Sequence, residues 1–83
     1  MVFKWRANAP KWQQIADELK ARIVAGKYPP DTALPSQHEI VEEFGVATGT
    51  AQKVLRRMNE QGWSYGVKGV GTFVAPDHPE QDQ

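Results

Sequence analysis

The 83-residue sequence contains no cysteine. This absence excludes a disulfide framework and a zinc site built on thiolates, and it is compatible with a reducing cytoplasm. No stretch approaches the roughly 20 apolar residues that a membrane-spanning helix needs. The N-terminal stretch MVFKWRANAP is too short and too polar for a signal peptide. We therefore expect a soluble, cytoplasmic protein.

Residues suited to catalysis are scarce. The chain has two histidines, no serine in a nucleophile elbow and no paired carboxylates at a predicted cleft. We expect neither an enzyme nor a cofactor-binding protein. His38 and Glu42 have the i, i+4 spacing of two metal ligands, but a solvated pair is the better interpretation because no third ligand is nearby.

Excess charge of either sign is also lacking, since ten basic residues balance ten acidic ones. The distribution is nevertheless uneven. Between residues 46 and 74, four basic residues stand against Glu60 alone, whereas the last eight residues, PDHPEQDQ, contain three acidic side chains and no apolar one. A locally basic face is possible. We predict an N-terminal extension over 1–9, one folded domain over 10–75 and a flexible acidic tail over 76–83.

Hydrophobic periodicity predicts a first helix that starts just after Pro10 and ends at Gly26. Its apolar stripe consists of Trp12, Ile15, Ala16, Leu19 and Ile23, and polar residues such as Gln14 fall mostly outside it. The following connector, KYPPDTALP, has three prolines and should be ordered or extended. Tyr28 is expected to pack back onto the core.

Local signals predict two further helices. Ser36 and Glu39 have the spacing of a capping box, so a short second helix should begin there and end at Gly45. A third helix should run from residue 47 or 48 to Gln61, with Gly62 ending it. Thr48 and Thr50 could merely cap this helix, and for Thr48 capping and contact with a phosphate are compatible.

The C-terminal stretch WSYGVKGVGTFVAP has β-branched and aromatic residues around three glycines, which predicts two short strands joined by a hairpin loop. GVKGVG has the glycines of a phosphate-binding loop, but a strand follows it where such a loop needs a helix. The predicted fold is mainly α with a small β-hairpin, a three-helix winged helix-turn-helix.

A short helix, a glycine turn and a longer helix form the arrangement whose second helix enters a DNA major groove. Small residues at positions 47–50 would let its N-terminus approach phosphates or base edges. Thr48, Thr50 and Gln52 are candidates for groove contacts, with Gln52 able to pair with adenine. Lys53, Arg56 and Arg57, expected on exposed sides of this helix, would contact phosphates. A solvated charged face is the alternative.

The segments QIADELKARIVAGKYPP, LPSQHEIVEEFGVATGTAQKVLRRMNEQGW and GVGTFVA resemble the N-terminal winged helix-turn-helix domain of the GntR family of bacterial transcription regulators. The resemblance covers about residues 11–75. It implies two-fold binding to an inverted-repeat DNA operator, most commonly for repression. His38, Thr48, Gln52 and Val70 stand where the family commonly has arginine.

The predicted DNA-binding residues are Ser36, Gln37, His38, Thr48, Gly49, Thr50, Gln52, Lys53, Arg56, Arg57, Lys68, Gly69, Gly71 and Thr72. Lys68 is expected at the tip of the wing, beside the minor groove or the DNA backbone. Members of the family normally carry a C-terminal effector-binding domain, and we see no residues for an effector pocket in this chain, which is either a minimal regulator or a fragment.

Two questions stay open at this level. Val2, Phe3 and Trp5 have no obvious place in a three-helix core, so they could form a homodimer interface, or DNA itself could bring two copies together. The missing arginines and the neutral total charge would also permit a winged-helix module that has lost operator recognition and binds another protein.

Overall fold

A computed structural model describes residues 4–77 of the chain. Over these residues the elements are three α-helices, α1 (Lys11–Val24), α2 (Gln37–Phe44) and α3 (Thr48–Glu60), and two strands, β1 (Ser64–Val67) and β2 (Gly71–Val74). The predicted mainly α fold with a C-terminal hairpin is confirmed. None of the helices in this part of the chain is long and apolar enough to cross a membrane.

The core lies between the three helices and the base of the hairpin. Its fully buried side chains come from each helix and from β2, and they include Ile15, Leu19, Ile40, Val54, Met58 and Val74. Tyr28 packs against this core from the connector, as expected, and Val46 packs against it from the turn after α2. Because α2 has only eight residues, it depends on this packing more than on its intrinsic helix propensity.

Gln14 is buried, although its place outside the apolar stripe predicted exposure. Its Oε1 accepts a hydrogen bond from the Arg6 backbone N–H at 2.7 Å, and its Nε2 donates to the carbonyls of Arg6 at 2.9 Å and Ala9 at 2.8 Å. The side chain can be buried because the N-terminal extension satisfies its polar atoms. Trp5, for which the sequence offered no place, packs against the core. Val2 and Phe3 lie outside the described residues.

The start of α2 confirms the predicted capping box. Ser36 Oγ accepts from the Glu39 N–H at 3.2 Å, and Glu39 Oε1 accepts from the Ser36 N–H at 2.9 Å. The helix ends at Gly45, which has a left-handed φ of 67°. That conformation costs a glycine little and lets the chain turn directly into α3.

The hairpin has a third, short partner that the sequence did not reveal. β1 and β2 pair antiparallel from Ser64 with Val74 to Val67 with Gly71. On the other side of β2, the connector between α1 and α2 forms a bridge from Ala33 to Phe73. The Leu34 N–H donates to the Thr72 carbonyl at 2.9 Å. The proline-containing connector was predicted to be ordered or extended: it turns at residues 29–32 and is extended at Ala33 and Leu34, where β2 holds it in place.

Candidate nucleic-acid interface

The turn between α2 and α3 determines how α3 is presented. Three residues, Gly45, Val46 and Ala47, connect the end of α2 at Phe44 with the start of α3 at Thr48. Val46 is half-buried against the core, which fixes the turn from inside. The two helices are therefore held in contact while the first turn of α3 projects to the surface.

The N-terminus of α3 is open. Its N-cap is Ala47, and within residues 4–77 no side chain caps it. The interpretation of Thr48 as the capping residue is thus wrong, because the capping position falls on an alanine, which has no oxygen to offer. Thr48 and Gly49 are exposed, Thr50 is half-buried, and a Cβ added at Gly49 would meet nothing within 4 Å. Free backbone N–H groups and the helix dipole make this end suitable for an anion.

The longer part of α3 presents two polar stripes, each with i, i+4 spacing. Thr48, Gln52 and Arg56 form one stripe and are all exposed. Gly49, Lys53 and Arg57 form the adjacent stripe, on which both cations are half-buried. The buried face of the same helix consists of Ala51, Val54 and Met58, so the helix is amphipathic with a basic outer surface.

The half-buried cations of the second stripe flank one aromatic ring from α1. Lys53 Nζ lies 5.1 Å and Arg57 Cζ 5.4 Å from the centre of the Trp12 ring. The sequence predicted that Lys53, Arg56 and Arg57 all lie on exposed sides of α3, but Lys53 and Arg57 are half-buried. The prediction holds for Arg56. The reason is that α1 packs against α3 and brings the indole ring to the i, i+4 pair.

Arg57 has one ionic partner in the described part of the chain. Its Nη1 lies 3.5 Å from Glu60 Oε1, while its buried Nε has no hydrogen-bond partner among residues 4–77. For Lys53 the same residues provide no carboxylate within ion-pair distance. The basic surface of α3 is thus only weakly neutralised from within the domain.

The predicted residues at the start of α2 lie in a different environment. Ser36 is occupied by the capping box, Gln37 is half-buried, and His38 is exposed. His38 Nε2 lies 3.1 Å from Glu42 Oε2, and both side chains are more than two-thirds exposed, at 79% and 68%. Among residues 4–77 no group of three metal-ligating side chains exists. The pair is consistent with a solvated contact.

In the wing, Lys68 and Gly69 lie in the turn between β1 and β2, as predicted. Gly71 and Thr72 begin β2, and the Thr72 carbonyl is occupied by the Leu34 N–H. Val70 at the tip is 70% exposed. The wing therefore presents one cation and an apolar side chain side by side.

Trp12 contributes to this region although the sequence did not single it out for it. The helical period of α1 places Trp12 on the apolar stripe, and nothing in that period indicates that cations of α3 lie over its ring. The signal that could have found it is the pairing of a tryptophan on α1 with two cations spaced i, i+4 on a helix that packs against α1.

A turn of three residues, an exposed and uncapped second helix and a hairpin wing define a winged helix-turn-helix domain. The sequence model described as bacterial regulatory proteins, gntR family, matches residues 11–74. The chain belongs to the GntR family.

Named relatives agree with this assignment. An arabinose metabolism transcriptional repressor of Geobacillus stearothermophilus is 33% identical over 72 residues, which cover 87% of this chain and 20% of the relative. The transcriptional repressor NagR of Bacillus subtilis is 39% identical over 72 residues, with 87% and 30% covered. The chain thus spans between a fifth and a third of the length of these relatives.

Solved structures show the same fold. The DNA-binding domain of AraR, determined in complex with operator ORR3, has a TM-score of 0.76 and 34% identity, covering 90% of this chain and 95% of that one. A GntR family transcriptional regulator from Listeria monocytogenes has a TM-score of 0.82 and 26% identity, covering 88% and 64%. The winged-helix prediction is confirmed by these similarities.

Proposed function

We propose that this chain binds double-stranded DNA in a sequence-specific way and regulates transcription, in the first place as a repressor. The observation that carries this proposal is the N-terminus of α3, which follows a three-residue turn, lacks a side-chain cap among the described residues and is built from small residues. A duplex can approach such a helix end closely, and the free N–H groups and the helix dipole attract phosphate.

In this proposal the first polar stripe of α3 reads the major groove. Thr48 and Gln52 are exposed on one face, where a hydroxyl and a carboxamide can bond base edges, and Gln52 can form a bidentate pair with adenine. Thr50 is half-buried and lies at the edge of this surface. Gly49 keeps the helix backbone accessible.

The cations of α3 supply contacts to phosphates. Lys53, Arg56 and Arg57 extend the basic surface along the helix, and contacts of this kind fix register without reading sequence. Lys68, Gly69, Gly71 and Thr72 would bring the wing to the adjacent minor groove or backbone. Ser36, Gln37 and His38 would bring the start of α2 to the phosphates beside the major groove.

The known proteins support this function over a protein-binding module. The relatives are named as transcriptional repressors, and the AraR domain was solved with operator DNA. By analogy we propose that two copies of the present domain bind an inverted-repeat operator, either as a homodimer or brought together by DNA. A regulator of this kind would act in the bacterial cytoplasm, at the nucleoid.

Fluorescence anisotropy tests the proposal directly. The chain is titrated into a pool of random duplexes and into fragments from around its own gene, at low and at physiological salt. We expect saturable binding to one fragment that survives added salt, because base contacts depend on salt less than phosphate contacts do. Absence of binding even at low salt would contradict the proposal and favour a protein partner.

Single substitutions separate the two kinds of contact. Lys53→Ala, Arg56→Ala and Arg57→Ala should each weaken binding on all sequences and flatten the slope of log affinity against log salt by about one. Gln52→Ala should instead change the preference among sequences and leave that slope unchanged. If the three basic variants bind as the original chain does, α3 is not the helix in the groove.

A further inference from the structure

Trp12 is shared between the domain core and the basic surface. It packs against the core as a half-buried residue of α1, and its ring carries Lys53 Nζ and Arg57 Cζ at 5.1 Å and 5.4 Å from its centre. Both distances lie within the roughly 6 Å over which a ring face attracts a cation. One residue therefore contacts two cations one helical turn apart.

An aromatic ring restrains these cations without neutralising their charge. The attraction arises from the ring quadrupole, so the ammonium and guanidinium keep their net charge and can direct N–H donors toward an oxygen anion. A carboxylate would neutralise them. In the described part of the chain Lys53 has no carboxylate at ion-pair distance, and Arg57 has Glu60 at 3.5 Å.

Restraint matters because lysine and arginine are the side chains with the most rotamer freedom. Immobilising such a side chain at an interface costs binding free energy, and a partner that immobilises it beforehand removes part of that cost. The i, i+4 spacing places both cations over the same ring, so one tryptophan can restrain both.

We propose that Trp12 is a positioning residue for DNA binding, which holds Lys53 and Arg57 in the orientation that meets two phosphates. This inference rests on the proposed function, since it needs α3 to bind DNA. Arg56 provides the internal comparison, because it lies on the other stripe of α3, is exposed, and contacts no aromatic ring among residues 4–77.

The test is a double-mutant cycle on DNA affinity. Trp12→Leu and Trp12→Phe are combined with Lys53→Ala and, as the matched control, with Arg56→Ala. Each variant is titrated by anisotropy into a labelled mixed-sequence duplex of about 20 base pairs at several salt concentrations, and its melting temperature is recorded. Only variants that remain folded at the assay temperature are compared, and Trp12→Phe provides the milder change.

We expect Trp12→Leu to weaken binding by about threefold to tenfold, the range expected for releasing one or two restrained side chains. Trp12→Phe should retain most of the affinity, because it retains an aromatic face. Lys53→Ala should cost less in the Trp12→Leu background than in the original chain. Arg56→Ala should cost the same in both backgrounds.

Three results would overturn the inference. If Trp12→Leu lowers affinity equally whether Lys53 or Arg56 is absent, Trp12 is only structural. If Trp12→Leu binds DNA as well as or more tightly than the original chain, the ring does not orient the cations for phosphate. If the original chain itself fails to bind at low salt, the proposed function fails together with the inference, and that result is distinguishable because Arg56→Ala then has no affinity to lose.

Discussion

At each end of α1 a cation–aromatic contact joins this helix to another one, but the cations at the two ends have different partners. Near the C-terminal end, Arg22 Cζ lies 5.7 Å from the centre of the Phe44 ring. Its guanidinium also donates to Glu18 at 2.9 Å, to Glu43 at 2.6 Å and to Tyr28 at 3.1 Å. Near the N-terminal end, Lys53 and Arg57 lie over Trp12 with only Glu60 as an ionic partner in the described chain.

This difference separates a cation whose charge is matched by carboxylates of the domain from cations whose charge remains available to a ligand. The hydrogen bond that Arg22 donates to Glu43 raises the pKa of Arg22 above its ordinary value, although burial partly opposes this. The charge of Arg22 is thus matched by two carboxylates inside the domain. Lys53 and Arg57 are restrained but hardly neutralised, as expected of cations that bind an external anion such as a phosphate.

The largest expected effect is a loss of folding stability on replacing Arg22. Arg22→Met keeps the apolar stem over Phe44 but removes the hydrogen bonds that join α1, the connector and α2. We expect a loss of about 2 kcal/mol in the free energy of unfolding, because hydrogen bonds to charged groups contribute about 1.5 to 3 kcal/mol. Urea unfolding measures it.

Arg56→Met is the matched control for this change, because it removes a guanidinium that is exposed on α3. It should alter the free energy of unfolding by less than about 0.5 kcal/mol but weaken DNA binding. Equal losses of stability from the two variants would show that the Arg22 network contributes nothing beyond an ordinary surface charge.

A smaller effect is expected at Gly49, on the stripe that carries Lys53 and Arg57. Gly49→Ala has room for its Cβ and should raise stability by about 0.5 to 1 kcal/mol, because alanine favours a helix more than glycine does. The same methyl group should weaken DNA binding by obstructing the close approach of the duplex. Thermal unfolding and anisotropy measure the two quantities.

Val24→Ala serves as a control for Gly49→Ala, since it changes an exposed, uncharged residue at the far end of α1. It should leave DNA affinity unchanged. If Gly49→Ala binds DNA as tightly as the original chain, the N-terminus of α3 does not approach the duplex closely, and the open end of the helix has another role.

The smallest expected effect on stability comes from a hydrogen bond at the base of the wing. There the neutral hydroxyl of Tyr65 contacts the carboxylate of Asp31. Tyr65 Oη donates to Asp31 Oδ1 at 2.7 Å, and this hydrogen bond raises the pKa of Tyr65 above its ordinary value of 10.0. The stability it provides is fully present below pH 10.0. It is lost as pH rises through the higher pKa of the folded state, because the unfolded chain releases the proton first.

Melting temperatures recorded from pH 8 to 11 measure this loss, with Tyr65→Phe as the control. The variant cannot ionise at this position, so its melting temperature should fall less steeply than that of the original chain above about pH 10. Parallel curves would show that the contact with Asp31 does not persist in solution.

The sequence predicted the helices of the fold well because their ends depend on local signals. Ser36 and Glu39 form the capping box that their spacing indicated, and Gly45 ends α2 in the conformation that favours glycine. The wing strands follow from β-branched and aromatic residues around glycines. The candidate site was predictable in outline for the same reason, because α3 and its turn are consecutive in the chain.

The errors concern the first residue of α3 and side chains that contact segments outside their own helix. The sequence allows Thr48 as the cap of α3, yet Ala47 occupies that position, because periodicity alone does not locate a helix end to within one residue. Gln14 was expected outside the core, yet the N-terminal extension satisfies its amide. The assignment of individual DNA contacts stays a prediction.

By itself the sequence determined the order of the elements, the short turn before α3 and the identity of its small and basic residues, because caps, glycines and periodicity act within a few positions. Only the tertiary structure decided that Trp12 lies beneath Lys53 and Arg57, that Arg22 is neutralised by Glu18 and Glu43, and that the connector pairs with β2. Apart from the Glu18–Arg22 pair, which lies within α1, these contacts join residues of different elements that are far apart in the chain, and packing alone brings those elements together.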